Sequence, residues 1–221
     1  MKRVLVILLA ASCSAWTCPA EDAGGGPTYT FIKLERLDVG TVKRARVWIS
    51  VPDGSGSNGV MRAMDDALAK SGGMHADCVA VIREGELPGA WPYTVGNAVH
   101  APGGDWSRAF DGLDNPDRDG YAVKYELRPG FFSAAPRPAL CGLTAVETAA
   151  VASEVSLACT IEEEVVLRKN PMADRREMNA ARRRAAALVG RKRGISADDT
   201  DAIWSAYHSD VLRCVYPGMK P

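Results

Sequence analysis

Apolar and polar residues alternate most clearly around residue 47. Ala45, Val47, Ile49 and Val51 interleave with Arg44, Arg46, Trp48 and Ser50, the period-two pattern of a half-buried strand. This predicts two strands, 30–38 and 42–51, around an Asp38-Val39-Gly40 turn. A Gly/Ser loop, 52–58, then leads into a helix on which Met61, Met64 and Leu68 share one face, closed by Gly72-Gly73. Residues 76–83 are apolar on both faces and predict a central strand, with 93–100 as its hairpin partner. Tyr121, Val123, Tyr125 and Leu127 alternate with Ala122, Lys124 and Glu126 in a last strand. The order β-β-α-β-β-β implies an α+β fold: a mainly antiparallel sheet with one packed helix, followed by a small C-terminal helical region.

The character of the chain changes after Ser133-Ala134-Ala135-Pro136-Arg137-Pro138. Beyond it, oxygen caps followed three residues later by an acid mark helix starts at Thr144 with Glu147, Thr160 with Glu163 and Ser196 with Asp199. Met178, Ala181, Ala185 and Leu188 predict one apolar face, and Ile203, Tyr207, Val211 and Cys214 another. The expected organisation is a signal peptide at 1–20, a linker or tether at 21–28, an α/β sandwich domain at 29–133, a linker at 134–140 and a helical region at 141–221.

The N-terminus adds an address. Met1-Lys2-Arg3 precedes an apolar run, Val4 to Ala11, and small residues reach Ala20, the pattern of an export signal. Cleavage after Ala20 is one outcome. Leu9-Ala10-Ala11-Ser12-Cys13 also resembles a bacterial lipobox, which would make Cys13 a lipid anchor to the membrane. The expected location is thus periplasmic, lipid-tethered or extracellular. Removing 1–20 leaves Cys78, Cys141, Cys159 and Cys214, an even set that suits disulfides in an oxidising compartment, with Cys159 to Cys214 the expected bond. Lys plus Arg equals Asp plus Glu at 27 each, so no global field draws the chain to nucleic acid or acidic surfaces.

The segment from Tyr93-Thr94-Val95-Gly96 to Ala101-Pro102-Gly103-Gly104-Asp105-Trp106 resembles a family of small exported bacterial proteins known only as a domain of unknown function. The likeness spans roughly Arg46 to Leu127 and omits the helical tail. It implies export and a compact domain; it implies no activity. Read from its residues, the segment offers a ligand groove lined by Tyr93, His100 and Trp106, or simply a turn at Gly103-Gly104 with Trp106 as a plug.

Other constellations are weaker. Gly54-Ser55-Gly56-Ser57-Asn58-Gly59 satisfies GxGxxG, but the preceding strand is expected in a hairpin, not in a parallel βαβ wind, so an N-capping loop is the ordinary reading. Asn115, Asp117, Asp119 and Glu126, with Gly120, match the spacing of a calcium loop. Pro116 and the strand around Glu126 depart from it, and a solvated turn is the plainer account; no other cofactor is suggested. His75, His100 and His208 lack metal-ligand spacing. The basic run Arg182, Arg183, Arg184, Arg191, Lys192 and Arg193 is a solvated helix face or a contact for an anionic envelope surface. The expected function is a non-catalytic envelope or secreted module that binds a protein, glycan or surface, with no nucleic-acid partner. The alternative is a small extracytoplasmic hydrolase, for which His100, Asp105 and Ser107 would have to meet in a pocket.

Overall fold

The computed structural model describes residues 27–72, 74–115, 117–133 and 137–216. The expected signal peptide at 1–20, Cys13 with it, and most of the expected tether lie outside them. Strands β1 (Thr30–Arg36) and β2 (Arg44–Val51) precede helix α1 (Ser57–Ala69). Then follow β3 (Ala76–Arg83), β4 (Gly96–Pro102), a 3-10 helix (Trp106–Gly112) and β5 (Tyr121–Leu127). A short α2 (Pro129–Ser133) leads to the long helices α3 (Ala145–Lys169), α4 (Arg175–Arg193) and α5 (Ala197–Val215).

The fold is α+β, with the strands in the spatial order β1-β2-β3-β4-β5. Every neighbouring pair is antiparallel except β2 and β3, which run parallel. The sheet is therefore mixed. Its parallel pair follows from the connection: a helix between β2 and β3 carries the chain back so that both strands start at the same end. The expectation that β2 stands outside any βαβ unit is corrected accordingly.

Strand alternation sends Val47, Ile49 and Val51 of β2, Val79 and Val81 of β3 and Ala98 of β4 into one core, where Val60, Ala63, Met64 and Ala67 of α1 cover them. Met64 is central as expected, but Met61 and Leu68 lie at the margin, only half-buried. Gly96 is required here: an added Cβ would sit 2.5 Å from the Glu126 carbonyl oxygen and 3.1 Å from the Met64 methyl.

The second core belongs to the helices. Both partners of a capping box open α3, at Thr144 and Glu147, and another opens α4, at Asp174 and Glu177. Ser196 caps α5 by accepting the Asp199 N–H at 3.0 Å. Thr160 starts no helix; it lies within α3, its hydroxyl donating back to the Ser156 carbonyl at 3.2 Å. On α4 the buried face is Ala181, Ala185, Ala186 and Val189, whereas Leu188 is 53% exposed. The face is turned because antiparallel packing on α3 and α5 selects the small residues. Ile203, Tyr207, Val211 and Cys214 of α5 are buried as their spacing predicts.

No disulfide forms among the described cysteines. Cys159 lies in the field of Arg182 and Asp201 at the start of α5. Cys214 lies near the other end of α5, some 20 Å along a helix that rises 1.5 Å per residue, beyond the roughly 7 Å that a disulfide tolerates between Cα atoms. Burial pushes the Cys159 thiol up to about 12 and Cys214 to about 11, so both stay protonated and unreactive.

The helices dock on the sheet at the C-terminal ends of β2 and β3. Arg83, 2% exposed, ends β3 and donates to Asp210 of α5 at 2.5 Å, with the Cys214 sulfur also in contact. Glu86 accepts from the Arg83 N–H at 3.0 Å, from Thr94 at 2.5 Å and from the Tyr207 hydroxyl at 2.7 Å. Arg137 donates to Asp53 at 2.6 Å, to the Glu84 carbonyl at 2.6 Å and to Tyr207 at 3.4 Å. Arg137 is thus buried, and Leu140 and Leu143 pack on the helical core, so the expected linker at 134–140 is, in its described part, a packed strap. Gly130 of α2 completes the joint, since a Cβ there would meet the Cα of Cys214 at 2.5 Å.

Arg83→Leu leaves the buried Asp210 with only the exposed Arg213, 3.4 Å away, as a cation partner. It is expected to lower unfolding free energy by about 3–5 kcal/mol in urea titrations, and Arg83→Leu/Asp210→Leu to recover more than half of that loss. A double variant no better than the single one would show that the pair does not hold the joint.

Candidate functional site

The face of the sheet opposite α1 carries the candidate site. Strand pairing aligns Arg46 of β2 with Cys78 and Trp48 with Ala80 of β3, and these in turn with Val99 and Asn97 of β4. Small side chains on the central strand between large ones on its flanks leave a hollow of about 420 Å³. Cys78, Ala80, Asn97 and Val99 line its floor, and Trp48, Trp91, Tyr93 and Trp106 its walls. Tyr93 lies before β4 and Trp106 after it, so one strand carries a wall at each end.

Each wall is braced. Trp48 donates its indole N–H to Glu35 at 2.8 Å, and the Arg46 guanidinium lies 5.7 Å from its ring centroid. Trp91 donates to Ser153 of α3 at 3.1 Å and contributes to the helical core. Tyr93 donates to Glu126 at 3.0 Å beneath the Arg128 guanidinium, 4.6 Å from its ring. Trp106 carries Arg44 at 5.3 Å.

Charge in the hollow is mostly settled. Burial works to raise the Glu35 carboxyl, but hydrogen bonds from Lys33 and Trp48 and the charges of Lys33 and Arg46 hold it below the ordinary 4.5. Burial, then Glu126, raises the Tyr93 phenol. Burial likewise raises the Cys78 thiol against the pull of Arg46, leaving a weak nucleophile. Two groups remain open: Arg46 reaches Glu35 only at 3.9 Å, and the Asn97 side-chain oxygen is buried without a partner among the described residues. The arrangement suits stacking and hydrogen bonding.

Of the expected groove residues, Tyr93 and Trp106 come together and His100 does not. Alternation along β4 turns His100 away from Asn97 and Val99, and its ring packs on Tyr121 at 5.2 Å. His100, Asp105 and Ser107 do not assemble either. Asp105 accepts the Ser107 N–H at 2.9 Å and its hydroxyl at 2.7 Å, which is a helix cap.

The calcium spacing also fails to converge. Asn115 closes its own turn, donating to the Asp119 carbonyl at 2.7 Å and accepting the Asp119 N–H at 3.1 Å. Glu126 stands near the far end of β5, roughly 16 Å along an extended strand, and serves Tyr93 and Arg128. Among the described residues no three His, Cys, Asp or Glu side chains are placed to share a metal ion. The GxGxxG segment does lead from β2 into α1, and Asp53, immediately before it, is claimed by Arg137. The basic face of α4 is partly neutralised: Arg182 pairs with Asp201 at 3.1 Å, Arg184 with Glu162 at 2.8 Å and Lys192 with Glu154 at 3.4 Å.

Arg46, Trp48, Cys78, Ala80, Trp91 and Asn97 were not foreseen as site residues. The polar phase of β2 reads as a solvent face, and only the small size of Cys78 and Ala80 in a central strand hints at a hollow. Compared with models of protein families, with curated proteins and with solved structures, the chain matches none.

Burial, then Arg118, lowers His100 below its ordinary 6.5, with Asp77 pulling back; burial, then Arg182, lowers His208. The unfolded chain therefore binds these protons first as pH falls. Stability from both groups is complete above 6.5 and declines as pH drops toward the folded-state values. Thermal melts between about pH 7 and about pH 5 should fall in midpoint, with a shallower slope in His100→Gln/His208→Gln. An unchanged slope in that variant would refute the assignment.

Proposed function

We propose that the chain is an exported, non-catalytic module that binds a carbohydrate-sized ligand in the hollow on the open face of the sheet. The carrying observation is the hollow itself: four aromatic walls around a floor of small residues with an unpartnered amide oxygen. Aromatic faces hold the C–H faces of sugar rings. Its volume lies in the range of small-molecule sites. The segment that carries the likeness to exported bacterial domains supplies two of those walls, Tyr93 and Trp106.

Export rests on the leader. Among the described residues no helix is long and apolar enough to cross a membrane.

Two experiments test this reading. A glycan array probed with the full chain is expected to return a defined set of sugars, with Trp106→Ala and Tyr93→Ala each losing about 2 kcal/mol, roughly thirtyfold, in variants whose circular dichroism matches that of the parent. Equal binding by the variants would dismiss the hollow. Fractionation of the native host should find the protein outside the cytoplasm without residues 1–20 or acylated at Cys13; an intact leader in the cytosol would dismiss export.

A further inference from the structure

We infer that the ligand of the hollow is an acidic sugar, held by its carboxylate on Arg46; this rests on the binding reading above. Arg46 is the one charged side chain among the lining residues. Its guanidinium is underused: Glu35, outside the lining, comes only within 3.9 Å, and the neutral thiol of Cys78 is its partner inside the hollow. Glu35 is occupied by Lys33 and by the Trp48 indole. A planar fork of donors with spare capacity, facing a space walled by aromatic rings, is matched by a carboxylate fixed to a ring.

The surroundings reinforce the sign. Arg44 stacks on Trp106, Arg128 on Tyr93 and Lys33 approaches Trp48 at 6.0 Å, so each of these walls is backed by a cation. The nearby carboxylates, Glu35 and Glu126, are both engaged in ion pairs. The net field over the opening is positive and favours an anion. A single fork without a second cation on the lining fits one negative charge better than the two of a phosphate monoester. Asn97 stands between the walls on β4, among the residues that line the floor.

The test is tryptophan fluorescence titration of the full chain at neutral pH with digalacturonic acid, its neutral counterpart digalactose, and galactose 1-phosphate. Digalacturonic acid is expected to bind at least about tenfold tighter than digalactose, the yield of one charge-assisted pair. Arg46→Gln should remove that preference, read as the ratio of the two affinities within the same variant, and Arg46→Lys should restore it in part. Raising salt from about 0.05 M to about 0.5 M should weaken only the acidic sugar. Circular dichroism confirms that each variant is folded.

Equal affinity for acidic and neutral sugars, with both lost in Trp106→Ala, overturns the carboxylate assignment and keeps the hollow as a sugar site. A tighter complex with galactose 1-phosphate also overturns it, in favour of a phosphate. Silence toward all three sugars overturns both readings together.

Discussion

Charge taken out of water is the constraint around which this molecule is arranged. Moving a guanidinium or carboxylate into the interior costs several kcal/mol per ion unless partners replace the lost hydration. Arg83, Glu86 and Asp210 are each less than 5% exposed, and their partners come from both halves of the chain. Glu86 takes donors from the β3–β4 loop and from α5; Arg83 leaves β3 to meet α5. Burial raises the Glu86 carboxyl above its ordinary range, and the hydroxyls of Thr94 and Tyr207 pull against that rise. Neither the sheet nor the bundle satisfies these groups alone, so the two halves settle together.

The same joint builds the candidate site. Glu86 and Thr94 bracket the loop that carries Trp91 and Tyr93, and Trp91 is fastened to Ser153 of α3. A loop rich in glycine and proline between two strands would otherwise be free to move. Here the helical region holds it at Glu86 through Tyr207 and in its middle through Ser156 on the Ala90 carbonyl and Ser153 on Trp91. The walls of the hollow are therefore preorganised, which lowers the entropic cost of closing around a ligand.

Much of the fold was legible because it rests on local periodicity. The period-two run of β2, the apolar run of β3 and the oxygen caps at Thr144 and Ser196 all report the structure directly. What escaped is non-local. The parallel pairing of β2 with β3 depends on where α1 returns the chain, and Thr160 has the look of a cap only until the continuity of α3 is known. The site was half visible: Tyr93 and Trp106 stand out by type, whereas His100 points away because of one residue's phase on β4. Arg46 and Trp48 read as solvent-facing because nothing local reveals that their face is concave. The Cys159–Cys214 bond failed for the same reason, since cysteine counting carries no information on which end of α5 a thiol faces.

The eight residues of β3 carry two sets of instructions that scarcely interfere. Val79 and Val81 speak to α1 and decide whether the sheet closes; Cys78 and Ala80 speak to the hollow and decide what fits. Because neighbouring side chains point to opposite faces, bulk traded at 78 or 80 leaves the packing on the other side untouched. The shape of the hollow is thereby separable from the closure of the sheet on α1, and either can be altered by single changes on one phase of one strand.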